Sequence, residues 1–201
     1  FALINKRTGA NAFTSVGGLR DKFVELDPAD PTRNARRKRG MYGTFNRPYS
    51  AEILQGVGAQ AVLKLAYDAP EVYPAGARIE RIITLKANEE FFTVDYRVTP
   101  KVADGKQAFW SASSIVIGDP NNQARKFVSS TGAFNFAAAK IHPLSGGWLS
   151  APIDGQTTFG IFWREPEAET ADVEMKDFSS LVNIKFKPFT STTAHTYRLA
   201  V

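Results

Sequence analysis

The sequence predicts an all-β fold, an antiparallel two-sheet sandwich, on three observations. The first is the stretch from Arg78 to Pro100, where two runs rich in β-branched and aromatic residues flank the polar break Ala87-Asn88-Glu89-Glu90. The second is the recurrence of similar short runs down the chain, separated by Gly, Pro, Ser and Thr, without a long run of helical period. The third is size and composition. With 201 residues, 43% of them hydrophobic and 12% aromatic, the chain can bury the core of one large β domain, and sandwiches often reach this length. One domain is therefore expected over 1–201.

The central stretch carries the clearest pattern. Phe92, Val94, Tyr96 and Val98 point one way, and Phe91, Thr93, Asp95 and Arg97 the other, the period of a half-buried strand. In the preceding run Ile79, Ile83 and Leu85 share a face that Arg81 interrupts, while Ile82 lies opposite. The short polar connection makes the two runs an antiparallel hairpin. Before it, Phe1 to Ile4 and Ala12 to Val16 read as strands about a turn that ends at Gly9. Residues 19 to 50 form the least regular stretch, with Pro28, Pro31, Pro48 and one short strand around Phe23 to Leu26; a long basic loop is expected at about 27–48. Ala59 to Tyr67 alternates and is expected to pair with the 78–86 run. Later strands are expected at Phe109 to Ile117, Arg125 to Ser129, Ala133 to Ile141, Trp148-Leu149, Thr158 to Trp163, Leu181 to Phe186 and Thr196 to Val201, with a turn at Asp119-Pro120-Asn121-Asn122. Ala137 to Ala139 could instead begin a short helix.

Composition excludes several kinds of chemistry. There is no Cys, which removes disulfides, thiolate metal sites and Cys nucleophiles. Two His are too few for a His-rich metal site, and neither a metal nor a cofactor is expected. No apolar run approaches the ~18–20 residues of a membrane span. The chain begins at Phe1 with no visible signal peptide, so it is expected to start after a processing site or to be cut from a longer protein. Of the 25 basic side chains, Arg33, Arg36, Arg37, Lys38 and Arg39 fall in one short window; without them, basic and acidic residues balance at 20 each. The net charge of +5 is thus a local feature. That cluster could bind phosphate or nucleic acid through counterion release, but it lacks interleaved aromatics and a nucleic-acid fold signature. A solvated loop, an anionic glycan such as a uronate polymer, or an acidic neighbouring domain accounts for it better. Gly56-Val57-Gly58 lacks the further Gly and the helix of a dinucleotide site.

Four pieces, in order, resemble the galactose-mutarotase-like β-supersandwich: FALINKRTGANAFTSVGGLRD with its Lys-x-Thr-Gly turn, RIERIITLKANEEFFTVDYRV, TTFGIFWREPEA and the closing HTYRLAV. The resemblance covers most of the chain and lies in pattern and order. It implies a carbohydrate context, since members of that superfamily are aldose epimerases or domains attached to polysaccharide lyases, glycoside hydrolases and glycan phosphorylases. For a full supersandwich the chain is short, so trimmed strands or a missing N-terminal part are expected. The setting expected is an extracytoplasmic bacterial protein, periplasmic or secreted.

The resemblance also implies a His acid and a Glu base, which must stand on opposite sides of one pocket. The candidates here are His142 and Glu165, but His142-Pro143 is not followed by the aromatic or Asn of the epimerase motif. A solvated loop before Ser145-Gly146-Gly147 explains His142 without catalysis, and His195 on the closing strand reads as structural. Glu165, Glu167 and Asp172 could be glycosidase carboxylates, which need separations of ~5–9.5 Å across the scissile bond. The run REPEAETADVE reads more simply as an acidic, solvated loop. Trp110, Trp148 and Trp163 offer rings that stack on the apolar face of a sugar; Trp148 follows two glycines in a loop, whereas Trp110 and Trp163 sit on strands where core packing suffices. Arg164 and Asp95 could add polar contacts. The reading that follows is a non-catalytic, glycan-binding accessory domain of a larger protein. An epimerase-like, lyase-type or glycosidase-type enzyme, and an assembly protein using the sandwich and the basic loop for contacts, are the alternatives.

Overall fold

The computed structural model describes residues 7, 9, 18–26, 42–43, 49–69, 76–101, 109–118, 126–135, 141–152, 157–176 and 179–200. Among these, every regular element is a strand: β1 (Gly18–Glu25), β2 (Tyr42–Gly43), β3 (Ser50–Gln55), β4 (Gln60–Ala69), β5 (Ala77–Lys86), β6 (Phe91–Pro100), β7 (Phe109–Gly118), β8 (Lys126–Ser129), β9 (Gly132–Asn135), β10 (Ile141–Leu144), β11 (Trp148–Pro152), β12 (Thr158–Trp163), β13 (Ala168–Lys176), β14 (Ser179–Phe186) and β15 (Thr193–Ala200). They form the two sheets of an antiparallel sandwich. One sheet has the order β10-β13-β14-β7-β1-β2 and the other β3-β4-β5-β6-β15-β12-β11-β8-β9. The chain divides into two compact units: Asp21–Ala112 with Phe186–Thr196, and Phe1–Arg20 with Ser113–Lys185 and Tyr197–Val201.

In the unit containing Asp21–Ala112, the hairpin of β5 and β6 holds the register read from its alternation, with Ile79 opposite Val98, Arg81 opposite Tyr96 and Ile83 opposite Val94. The turn closes through Asn88 at φ 65°, a left-handed conformation that Asn tolerates through its short polar side chain. The strand before the hairpin is β4, paired along its whole length so that Leu65 opposes Arg81 and Tyr67 opposes Ile79. Outward positions carry a charge ladder. Glu80 bonds Lys64 at 3.2 Å and Arg78 at 3.3 Å, and Arg78 also reaches Asp68 at 2.9 Å. Burial acts to raise the Glu80 pKa, but Lys64 and Arg78 outweigh it and hold the carboxyl below its usual range.

The inward face of this hairpin is where charge replaces an aliphatic residue. Arg81 and Asp21 have no exposed surface and form an ion pair. Tyr49 completes the set, accepting from Arg81 at 3.0 Å and donating to Asp21 Oδ2 at 2.6 Å. The guanidinium carbon lies 5.7 Å from the ring centroids of both Tyr49 and Tyr96, within cation–π range. Burial, with the Asp21 carboxylate adding to it, pushes the Tyr96 hydroxyl well above its ordinary pKa.

Several sequence expectations change here. Residues 18 to 25 form one strand, longer and earlier than the short strand expected at 23–26. Its inward positions include Asp21 and Phe23, both buried, and an acid among the core positions concealed the alternation. Within the expected loop, Tyr42-Gly43 pairs with β1 through Lys22 opposite Gly43. The acidic run is also no loop beyond Glu167. Ala168–Lys176 is strand β13, with Ala171, Val173 and Met175 buried. The strand β3 was not expected at all; the expected strands at 1–4 and 12–16, the 119–122 turn and the 137–139 alternatives lie outside the described residues.

In the unit containing Ser113–Lys185, the core is built by Ile115, Ile117, Phe127, Leu149, Phe159, Ile161, Val173, Val182, Ile184 and Leu199, all at most 1% exposed. Across β7, β14 and β13 runs a buried polar relay. Ser114 donates to Asn183 Oδ1 at 2.6 Å, Asn183 donates to Asp172 Oδ1 at 2.8 Å, and Lys185 pairs with the other Asp172 oxygen. Each group is satisfied by the next, which is what permits burial of a polar row.

Two outcomes test the buried pair and its neighbour. Removing the carboxylate in Asp21→Ala leaves Arg81 charged in the core and should cost about 3–5 kcal/mol of unfolding free energy, read from urea denaturation; a loss below about 1 kcal/mol would show that the pair is not held dry. For Tyr96, the folded state keeps the proton more tightly than the unfolded chain. Its contribution is therefore complete below the unfolded value of about 10 and is lost as pH rises through the folded value. Past pH 10, the native chain should lose stability relative to Tyr96→Phe by about 1.4 kcal/mol per pH unit. Parallel pH profiles of the two proteins would contradict this.

Candidate functional site

The residues singled out in the sequence fall in different environments. Asp95 is exposed on β6 and accepts from Thr196 Oγ1 at 2.7 Å. Trp163 is 8% exposed on the core side of β12. Trp110 lies on β7, but its side chain, like Arg33, Arg36, Arg37, Lys38 and Arg39, is outside the described residues. Arg164 is exposed and pairs with Glu167 at 3.6 Å. His195 lies flat on Phe186, with ring centroids 3.8 Å apart, and shares a 3.1 Å hydrogen bond with Thr193.

His142 is on a strand, not in the solvated loop expected for it. It opposes Val173 in the β10–β13 pair, is half-buried, and stacks on Phe134 with centroids 4.6 Å apart. The strand tolerates Pro143 because β10 is the edge of its sheet, where a missing N–H breaks no ladder. Glu165 is exposed in the turn after β12, and its carboxylate accepts the Gly146 N–H. No hydrogen bond or ion pair joins His142 to Glu165 among the described residues. What Glu165 does hold is the turn that delivers Trp148.

That turn is built by two glycines. Gly146 and Gly147 have φ of 75° and 73°, which L side chains rarely adopt. A Cβ on Gly146 would run into the Ser130 side chain, and one on Gly147 would sit 2.7 Å from the Trp163 carbonyl oxygen. The Gly147 carbonyl accepts the Trp163 N–H at 2.8 Å. Close backbone approach thus sets the start of β11 against the end of β12.

From there the register places Trp148 opposite Phe162, and Phe162 opposite Arg198 on β15. Leu149, Ile161, Leu199 and Tyr197 face the core, so Trp148, Phe162 and Arg198 form an outward row. Phe162 is 44% exposed, unusual for so large an apolar side chain in mid-sheet. Its ring lies over Gly160: Cε2 and Cζ stand 3.0 and 3.3 Å from where a Gly160 Cβ would be. The ring thus covers the glycine while staying exposed, and an exposed aromatic ring is what stacks on the apolar side of a sugar. Covering Gly160 is a sufficient structural role for such a ring; the half-buried Trp148 beside it extends the aromatic surface past that need. The sequence singled out Trp148 but not Phe162, whose signal is the placement of Phe two residues after a strand glycine.

No family model matches the chain, and no curated protein matches it. Solved structures do. A galactose mutarotase-like protein from Clostridium acetobutylicum superposes with a TM-score of 0.60 at 9% identity, over 90% of this chain and 78% of that one. The fold is galactose mutarotase-like. A galactose mutarotase related enzyme from Lactobacillus acidophilus matches with a TM-score of 0.54 at 11% identity, covering 80% of this chain and 75% of its own. Part of an alpha-mannosidase from Enterococcus faecalis V583 also superposes on this chain: TM-score 0.62, 9% identity, 99% of this chain but 27% of the mannosidase. This chain therefore spans about three quarters of the mutarotase-like proteins and about a quarter of the larger hydrolase.

The turn gives a direct test of how Trp148 is placed. Gly147→Ala combines a left-handed backbone with a carbonyl clash and should destabilise by about 1–3 kcal/mol, measured by urea unfolding. A change within about 0.5 kcal/mol would mean that the turn is not under this constraint.

Proposed function

We propose that this chain is a non-catalytic, carbohydrate-associated domain of a larger extracytoplasmic protein, and that it holds glycan on the outward aromatic pair Trp148 and Phe162. The observation that carries the reading is a contrast. The candidate acid and base are engaged elsewhere, His142 against Phe134 and Glu165 on the Gly146 N–H, whereas the aromatic pair faces outward with Phe162 largely exposed. Anomer exchange needs a donor and an acceptor within ~2.6–3.2 Å of one sugar. Glycan retention needs only a ring platform and a few polar groups. The mutarotase-like fold supports the carbohydrate context but not an activity.

A second reading has its own observation. Ile53, Leu54, Val57 and Leu85, in and around β3 and β5, are 48–84% exposed, and apolar surface of this kind favours protein contact. The basic cluster at 33–39 would serve the same contact with an acidic neighbour.

Two measurements separate the readings. Polarimetry on fresh α-glucose and α-galactose should give the buffer rate with the purified chain; acceleration that His142→Ala abolishes would make the chain an epimerase. Native electrophoresis through gels containing soluble polysaccharides should retard the chain with at least one polymer, and Phe162→Ala should reduce the retardation several-fold. Retardation unchanged by Phe162→Ala would remove the platform from the reading.

A further inference from the structure

The core of the Asp21–Ala112 unit holds two hydroxyls that its side chains do not satisfy. Tyr96 on β6 and Ser111 on β7 have no exposed surface. Neither Tyr96 Oη nor Ser111 Oγ makes a hydrogen bond among the described residues. The two are nevertheless close enough for Ser111 to act on the ionisation of Tyr96. A pair of the same residue types in the other unit behaves differently, since Ser113 Oγ and Tyr197 Oη bond directly at 3.1 Å. Tyr96 is not able to swing away to another partner, because its ring is stacked on Phe186 with centroids 5.5 Å apart. A hydroxyl buried without a hydrogen bond carries a desolvation cost that Phe or Ala at the same place would not. Buried polar groups in folded proteins are accordingly paired, either with protein atoms or with ordered water.

We propose that Tyr96 and Ser111 together hold a single internal water molecule, which bridges the two sheets beside the Asp21–Arg81 pair. Tyr96 belongs to the nine-stranded sheet and Ser111 to the six-stranded one, so neither sheet alone can build the site. The Tyr96 hydroxyl donates to the water oxygen, and the water donates in turn to Ser111 Oγ. Each hydroxyl thereby gains a partner without either ring or backbone having to move. Water enters a buried site only where the walls are polar, and here they are. Asp21, Arg81 and Tyr49 form a bonded set, and all three bear on the Tyr96 hydroxyl through their charge. A small ion is a poorer occupant, because the Asp21 carboxylate is already matched by Arg81 and a further charge would be buried uncompensated. A neutral molecule that both donates and accepts suits two hydroxyls. The ion pair also joins strands of different sheets, β1 and β5. The sheets of this unit are therefore tied by one charged link and one hydrated link.

The test counts long-lived internal water by oxygen-17 magnetic relaxation dispersion, at rising temperature so that slowly exchanging molecules contribute. The intact chain is compared with Tyr96→Phe, Ser111→Ala and the double variant. Each single variant should lower the dispersion amplitude by the share of a single water, and the double variant should lower it no further. Equal amplitudes in all four proteins overturn the proposal. A high-resolution crystal structure of the unaltered chain gives the same answer without relying on how the variants fold. Density for a water within ~2.7–3.2 Å of both Tyr96 Oη and Ser111 Oγ is the expected result. A direct bond between the two hydroxyls, with no such density, would overturn the bridge.

Discussion

The buried pair of Arg81 and Asp21 is the constraint on which the Asp21–Ala112 unit depends. The hairpin of β5 and β6 has the alternation of an ordinary strand pair, yet its inward face carries a full charge at the middle. That charge is tolerable because Asp21, sixty residues away, supplies a carboxylate, and Tyr49 bonds to both partners. An apolar replacement of the set could be equally stable. What the pair imposes is register. A one-residue slip would turn Arg81 to the outside and leave the Asp21 carboxylate buried without its counter-charge, so the cost of a slip exceeds that in an all-aliphatic strand. Tyr96, opposite Arg81 and fully buried, resists ionisation mainly through that burial, with Asp21 raising and Arg81 lowering its pKa.

The parts of the fold legible in the sequence are those where local pattern and burial agree. The β5–β6 hairpin and its β4 neighbour are long runs of strand-forming residues, strictly alternating in β6, and β5 and β6 are joined by a short polar turn, so their pairing follows from local pattern. Misreadings occurred where composition and burial disagree. Asp21 is a core residue with a surface residue's identity, and it broke the visible alternation of β1. In β13, Asp172 and Glu174 between Ala171, Val173 and Met175, with Glu169 before them and Lys176 after, made a strand resemble a solvated loop, although every second residue points to the core. His142-Pro143 carried a turn signal that the edge position of β10 overrides.

The site was legible only in part, for a different reason. Trp148 attracts notice because it follows two glycines, and both prove to be required: a Cβ on Gly146 would meet the Ser130 side chain, and one on Gly147 would lie 2.7 Å from a carbonyl oxygen. Phe162 does not, since Thr158 to Trp163 is apolar on both faces and reads as a buried strand. Its outward exposure is a property of the sheet, which no single-strand pattern contains. The same holds for the alignment of Trp148, Phe162 and Arg198, brought together from three strands by pairing. The supposed acid and base illustrate the converse: His142 and Glu165 suit the chemistry by residue type, but one is packed against an aromatic ring and the other secures a turn.

The chain has three tryptophans, of which Trp148 faces outward and Trp163 faces the core. Incorporating 5-fluorotryptophan, assigning the resonances by single Trp→Phe variants and titrating with oligosaccharides of whichever polymer retards the chain would read each ring separately by fluorine NMR. Binding on the outward face requires the Trp148 resonance to move with ligand concentration while that of Trp163 stays fixed. A Trp148 resonance unmoved at concentrations where the oligosaccharide is bound, or a shift confined to Trp163, would place recognition elsewhere on the molecule.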